Sequence, residues 1–134
     1  MKGLLKLGLI AFAIQLLAVS CAEDEDDDIN FIGEYTGNWQ CREETGLNAP
    51  QIYQVNISRG ANDQQIVING LYNISGTRVQ ANLSGFSFSI PQQTTSGVSF
   101  SGSGNADAEF QQITINFTAN DGTGNDQVKA VLTR

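Results

Sequence analysis

The sequence predicts an all-β protein of about eight antiparallel strands, folded as a small up-and-down barrel, with a β-sandwich as the alternative. Three observations predict this. From Phe31 onward, apolar residues recur at every second position, which is the period of a half-buried strand. Turn chemistry separates the periodic stretches: "RGAND", "NISGT", the Ser84–Gly85 pair, "PQQTTSG" and "ANDGTGND". No stretch past Asn30 carries a 3.6-residue period.

The elements follow in order. "FIGEYTGNWQC" sets Phe31, Tyr35, Trp39 and Cys41 on one face and Ile32, Glu34, Thr36, Asn38 and Gln40 on the other. "YQVNISR" turns Tyr53, Val55 and Ile57 inward. "QIVING" does the same with Ile66 and Ile68, and "RVQANLS" with Val79, Ala81 and Leu83. "FSFSI" aligns Phe86, Phe88 and Ile90 against serines; "VSFSGSG" aligns Val98, Phe100, Gly102 and Gly104. "QITINFTA" aligns Ile113, Ile115, Phe117 and Ala119, and "QVKAVLTR" aligns Val128, Ala130 and Leu132. Short links favour a meander, and closure removes the exposed edges that invite aggregation. An eight-stranded barrel is just wide enough to be filled by side chains or to hold one small ligand. The many inward aromatics point to a filled interior.

The domain at 31–134 is preceded by two different segments. Residues 1–20 read as a signal peptide, with Lys2 and Lys6 ahead of an apolar run from Leu7 to Val19. That run is too short for a membrane-spanning helix, which needs about 20 residues. "AVSC" resembles the lipobox of bacterial lipoproteins. The resemblance implies cleavage between Ser20 and Cys21, with diacylglycerol on the Cys21 thiol and an acylated new amine. Several acyl chains anchor stably where one anchors marginally. An ordinary signal peptide cut near Ala22 is the alternative. Residues 21–30 then form an acidic tether containing the unbroken run Glu23–Asp28. Adjacent like charges repel and stay solvated, which suits a spacer. Such a run after the lipid cysteine also resembles the export signal of Bacteroidota surface lipoproteins, and we favour that reading.

Charge and composition exclude several chemistries. The net charge of −7 divides into +2 for residues 1–20, −6 for residues 21–30 and −3 for residues 31–134. The domain therefore lacks the basic footprint that nucleic acid requires. No histidine is present, which removes Ser-His and Cys-His activation and imidazole metal sites.

"FIGEYTGNWQC", "YQVNIS", "IVING", "VQANLSG", "FSIPQQ", "SGSGNA" and "ITINFTANDGTG" together resemble a family of small Bacteroidota lipoproteins of uncharacterised function. The family pattern has an F-x-G-x-Y-x-G opening, a strand reading I-x-I-P-x-Q and a following G-S-G. No catalytic motif comes with it. A cysteine in the family's last strand can pair with the first-strand cysteine. Here the last strand has none, which leaves Cys41 without a partner in the domain.

Candidate sites are few. Cys41 lies on an apolar face and reads as a buried thiol. "DGTGNDQVK" matches a calcium-binding nonapeptide at Gly122, Gly124, Asp126 and Val128, but in a single copy, so a hairpin loop is the better reading. Asn56, Asn73, Asn82 and Asn116 form Asn-x-Ser/Thr triplets in an amide-rich chain. Tyr72, out of phase, is the main candidate for an exposed aromatic platform for a sugar. Glu34, Glu43, Glu44, Asp107 and Glu109 are expected on outward faces or in loops, with no convergence into a glycosidase pair. The expected protein is a lipid-anchored outer-membrane lipoprotein, exposed at the cell surface. It binds an unknown protein or small molecule without catalysis, cofactor or metal. A lipocalin-like carrier of a small apolar molecule is the alternative.

Overall fold

The computed structural model describes residues 31–134. The predicted signal peptide, the cleavage point between Ser20 and Cys21, and the acidic tether lie outside the described residues. Eight strands follow one another as β1 (Gly37–Thr45), β2 (Gln51–Arg59), β3 (Gln65–Asn69), β4 (Arg78–Ser84), β5 (Ser87–Thr95), β6 (Val98–Ala106), β7 (Gln112–Asn120) and β8 (Asn125–Thr133). Each pairs antiparallel with the next, and β8 returns to β1, so the sheet closes into a barrel rather than splitting into a sandwich.

The period-two pattern places the core. Trp39 and Cys41 of β1, Val55 and Ile57 of β2, and Ile113, Ile115 and Phe117 of β7 are all buried, while their sequence neighbours face outward or are half-buried. Two glycines of β6 make room inside. A Cβ on Gly104 would stand 2.2 Å from Cζ of Phe88, its cross-strand partner. A Cβ on Gly102 would stand 2.2 Å from the carbonyl oxygen of Asn116.

Two expectations are corrected. Phe31–Tyr35 is not the start of β1 but a single helical turn, α1. Ile32, expected outward, is buried with Tyr35, because a helix brings positions three apart to one side. Gly37, at φ 122°, then redirects the chain into β1. So short a helix is not stable alone. It is held by its aromatics, with Tyr35 edge-on to Phe88 and Phe110 and Phe31 edge-on to Phe86. Phe86 itself, expected inward, is 42% exposed, since it precedes β5 in the turn after β4 and stacks on Phe110 outside the barrel.

These groups close one end of the barrel, called the base. Trp39 Nε1 donates to the Tyr35 carbonyl at 2.9 Å, and the Arg134 guanidinium lies 3.9 Å over the indole. Arg134 also donates to the carbonyls of Phe110 and Glu34, tying the last residue to α1 and the β6–β7 turn. The opposite end, the mouth, carries the β1–β2, β3–β4, β5–β6 and β7–β8 connections.

Candidate functional site

The mouth is built on two buried carboxylates. Glu43 continues the inward phase of Trp39 and Cys41 and is fully buried, which corrects its expected place on the surface. Its Oε2 accepts from the Tyr53 hydroxyl at 2.6 Å and its Oε1 from the Gln51 side-chain amide at 3.1 Å. Asp126 continues the inward phase of Val128, Ala130 and Leu132. Its Oδ2 accepts from the Tyr72 hydroxyl at 2.6 Å and its Oδ1 from the Leu47 backbone N–H at 2.9 Å. A buried carboxylate is tolerated only when hydrogen-bonded, and both are.

The two pairs meet at one 3-10 turn, Leu71–Asn73, between β3 and β4. The Tyr53 hydroxyl accepts from the Tyr72 N–H at 2.9 Å while donating to Glu43. Leu71 is fully buried, and the Tyr72 ring stands edge-on to Phe100 and Phe117. Tyr72 and Asn73 take positive φ values of 66° and 58°, a conformation that non-glycine residues rarely adopt. Tyr72 is therefore a half-buried stopper over the mouth rather than an exposed aromatic. Burial, then the bond to Asp126, pushes its hydroxyl pKa up to about 12.

Cys41 faces the same interior and is a buried free thiol. Burial pushes its pKa up to about 11, against the pull of a hydrogen bond to Tyr53. Tyr53 is raised further, first by burial. These shifts hold the protonated, unreactive forms at neutral pH.

The remaining predicted residues do not converge. Glu34, Glu44, Asp107 and Glu109 are exposed, as expected. Glu44 pairs with Arg42 at 2.6 Å and Lys129 at 3.6 Å on the outer wall. Asp107 accepts from the N–H groups of Gln111 and Gln112 in the β6–β7 turn. In the nonapeptide stretch, Asp121 caps its own turn through Thr123, while Asp126 is committed to Tyr72 and Leu47. Asn56, Asn73, Asn82 and Asn116 are all exposed.

Apart from Phe86 at the base, the exposed large apolar side chains lie at the mouth end. The β1–β2 hairpin presents Leu47, 79% exposed, and Ile52, 61% exposed, and the Leu47 N–H is fixed from below by Asp126. A groove of about 450 Å³ on the wall is lined mainly by amides, among them Asn38, Gln54, Asn56, Asn69 and Asn73.

The fold has a solved counterpart. A structure described as a redesigned beta barrel superposes with a TM-score of 0.53 at 12% identity, covering 78% of this chain and 95% of that one. At that identity the likeness is one of fold alone. No family model and no curated protein matches the sequence.

Proposed function

We propose that the protein is a lipid-anchored lipoprotein, attached through Cys21 to the outer membrane and displayed at the cell surface. Its barrel is a binding module whose partner meets the mouth-end loops. The observation that carries this is the difference between the two ends. The chain enters the domain at the base, where Phe31, Phe86 and Phe110 pack on one another, Phe86 keeping 42% of its surface exposed, and Arg134 donates to the Phe110 carbonyl. The mouth instead holds two large apolar side chains, Leu47 and Ile52, in solvent on a pinned hairpin. Exposed apolar side chains on a rigid support are what an interface core is made of. No catalytic step belongs to this reading. The acids at the mouth are occupied with holding the Tyr72 turn, and Cys41, the one thiol among the described residues, is buried and its pKa pushed up.

The test immobilises the full-length chain in detergent and compares what it retains from envelope and host extracts with what a Leu47→Ser, Ile52→Thr variant retains. One component held by the wild type and lost from the variant supports the reading. Equal retention by both, or none by either, contradicts it. The carrier alternative requires Tyr72 to leave its place over Phe100 and Phe117. A small molecule found by native mass spectrometry on the wild-type chain would favour it instead.

A further inference from the structure

The barrel is closed unevenly, and the weak place lies between β4 and β5. Those strands share only three residue pairs, Asn82 with Ser89, Leu83 with Phe88 and Ser84 with Ser87, all near the base. Towards the mouth the main chains no longer pair. Their role is taken by side chains of β5. The Gln93 amide oxygen accepts from the Gln80 N–H at 2.7 Å, and its nitrogen donates to the Gln80 carbonyl at 2.8 Å. Thr95 Oγ1 accepts from the Arg78 N–H at 3.1 Å.

The local sequence explains the gap. Pro91 has no N–H to offer a neighbouring strand, and prolines inside sheets sit at edges or bulges. The register with β6 slips between Ile90 and Gln93, which places Pro91 and Gln92 in a bulge. Beyond it, Gln93 stands opposite Phe100 and Thr95 opposite Val98, both inward residues. The side chains that belong to the inner face are thus the ones reaching the edge of β4. Gln93 Nε2 also donates to the Pro91 carbonyl at 2.9 Å, which orients the amide.

One primary amide here makes both bonds that a residue of an adjacent strand would make to Gln80. We infer that this seam is a docking site for an extended segment of a partner protein, which adds to β4 as a strand and displaces the Gln93 amide. The hydrogen bonds of Gln93 and Thr95 to β4 are exposed to solvent and can be exchanged for main-chain bonds at little net cost. Charge sets the partner's chemistry. Arg78 projects from β4 beside the open stretch and, among the described residues, belongs to no ion pair. The partner strand therefore carries an acidic side chain opposite Arg78, where cross-strand pairs interact. This surface is separate from the Leu47 hairpin, so either can fail without the other.

The experiment titrates the isotope-labelled full-length chain, in detergent micelles, with a capped peptide of about nine residues, a common strand length. The peptide alternates Thr and Val around one central Asp. Saturable shifts of the Arg78 and Gln80 amides and of the Gln93 side-chain amide are expected. Gln93→Ala removes the internal competitor and is expected to tighten binding by about tenfold. Gln93→Met, which keeps the length of the side chain but makes neither bond to Gln80, serves the same purpose if the alanine variant does not fold. Arg78→Gln is expected to weaken the Asp peptide and leave its Asn counterpart unchanged. Resonances at Arg78 and Gln80 that stay in place for both wild type and the Gln93 variant would overturn the inference. So would binding confined to the Leu47 hairpin, or peptide-independent shifts that grow with protein concentration and so point to a second copy of this chain.

Discussion

The Tyr72 hydroxyl donates to the Asp126 carboxylate at 2.6 Å, joining the β3–β4 turn to β8 across the barrel mouth. The bond holds a residue whose backbone, at φ 66°, is intrinsically unfavourable for tyrosine. It also satisfies a buried carboxylate that, among the described residues, has one other hydrogen-bond partner, the Leu47 N–H.

Removing that hydroxyl leaves the Asp126 carboxylate short of a donor inside the protein. Tyr72→Phe is expected to destabilise the fold by about 1.5–3 kcal/mol, the range for hydrogen bonds to charged groups. Urea unfolding followed by Trp39 fluorescence measures it. An unchanged midpoint would mean that the turn is not held by this bond.

The core tolerates no methyl group at Gly104, where a Cβ would lie 2.2 Å from the Phe88 ring. Gly104→Ala is expected to cost about 1–3 kcal/mol through overpacking. Combining it with Phe88→Leu, which withdraws the ring, is expected to recover part of the loss. Additive destabilisation in the double variant would contradict the contact.

Buried thiol and phenol groups set the response to alkali. The Cys41 pKa is raised by burial from 9.0 to about 11, and that of Tyr35, likewise by burial, from 10.0 to about 12. Above the unfolded value, the unfolded chain has lost a proton that the native chain keeps, so stability falls as pH rises. Stability is therefore expected to hold up to about pH 9 and to decline between about pH 9 and 12. Cys41→Ser is expected to remove the thiol's share of the decline from its lower part. Denaturant melts of both proteins at a series of pH values read this directly. At pH 8 the native thiol is expected to resist alkylation until the chain is unfolded.

The base depends on Arg134. Losing its stack on Trp39 in an Arg134→Ala variant is expected to cost about 0.5–2 kcal/mol for the cation–π contact alone, and the carbonyl contacts to Phe110 and Glu34 go with it. Arg134→Lys keeps the charge but not the planar fork, and is expected to recover less than half. A full recovery by lysine would show that charge alone acts there.

The strands were legible because half-buried β-structure writes itself at period two, and the short turns between them allowed a meander to close. α1 was not legible: Phe31, Gly33 and Tyr35 imitate strand alternation, and only packing against Phe86, Phe88 and Phe110 makes those residues helical. The mouth was misread for a different reason. Glu43 follows Trp39 and Cys41, and Asp126 precedes Val128, at the same period-two phase, so the pattern did mark both as inward. The charge of Glu43 argued for the surface, and the glycine-rich stretch around Asp126 read as a hairpin loop. The partners that make burial tolerable, Tyr53 and Tyr72, lie on other strands and loops, where a linear pattern does not show them. The Gln93 seam was invisible likewise, although Pro91 two residues earlier marked where the ladder must break.

The proposed attachment of this domain to the cell surface through Cys21 is open to broad-specificity protease treatment of intact cells. The wild-type domain is expected to be released from intact cells by cleavage in the acidic tether, and Cys21→Ser to leave no cell-bound domain to release. A wild-type domain that stays cell-bound and protected until the outer membrane is permeabilised would contradict it.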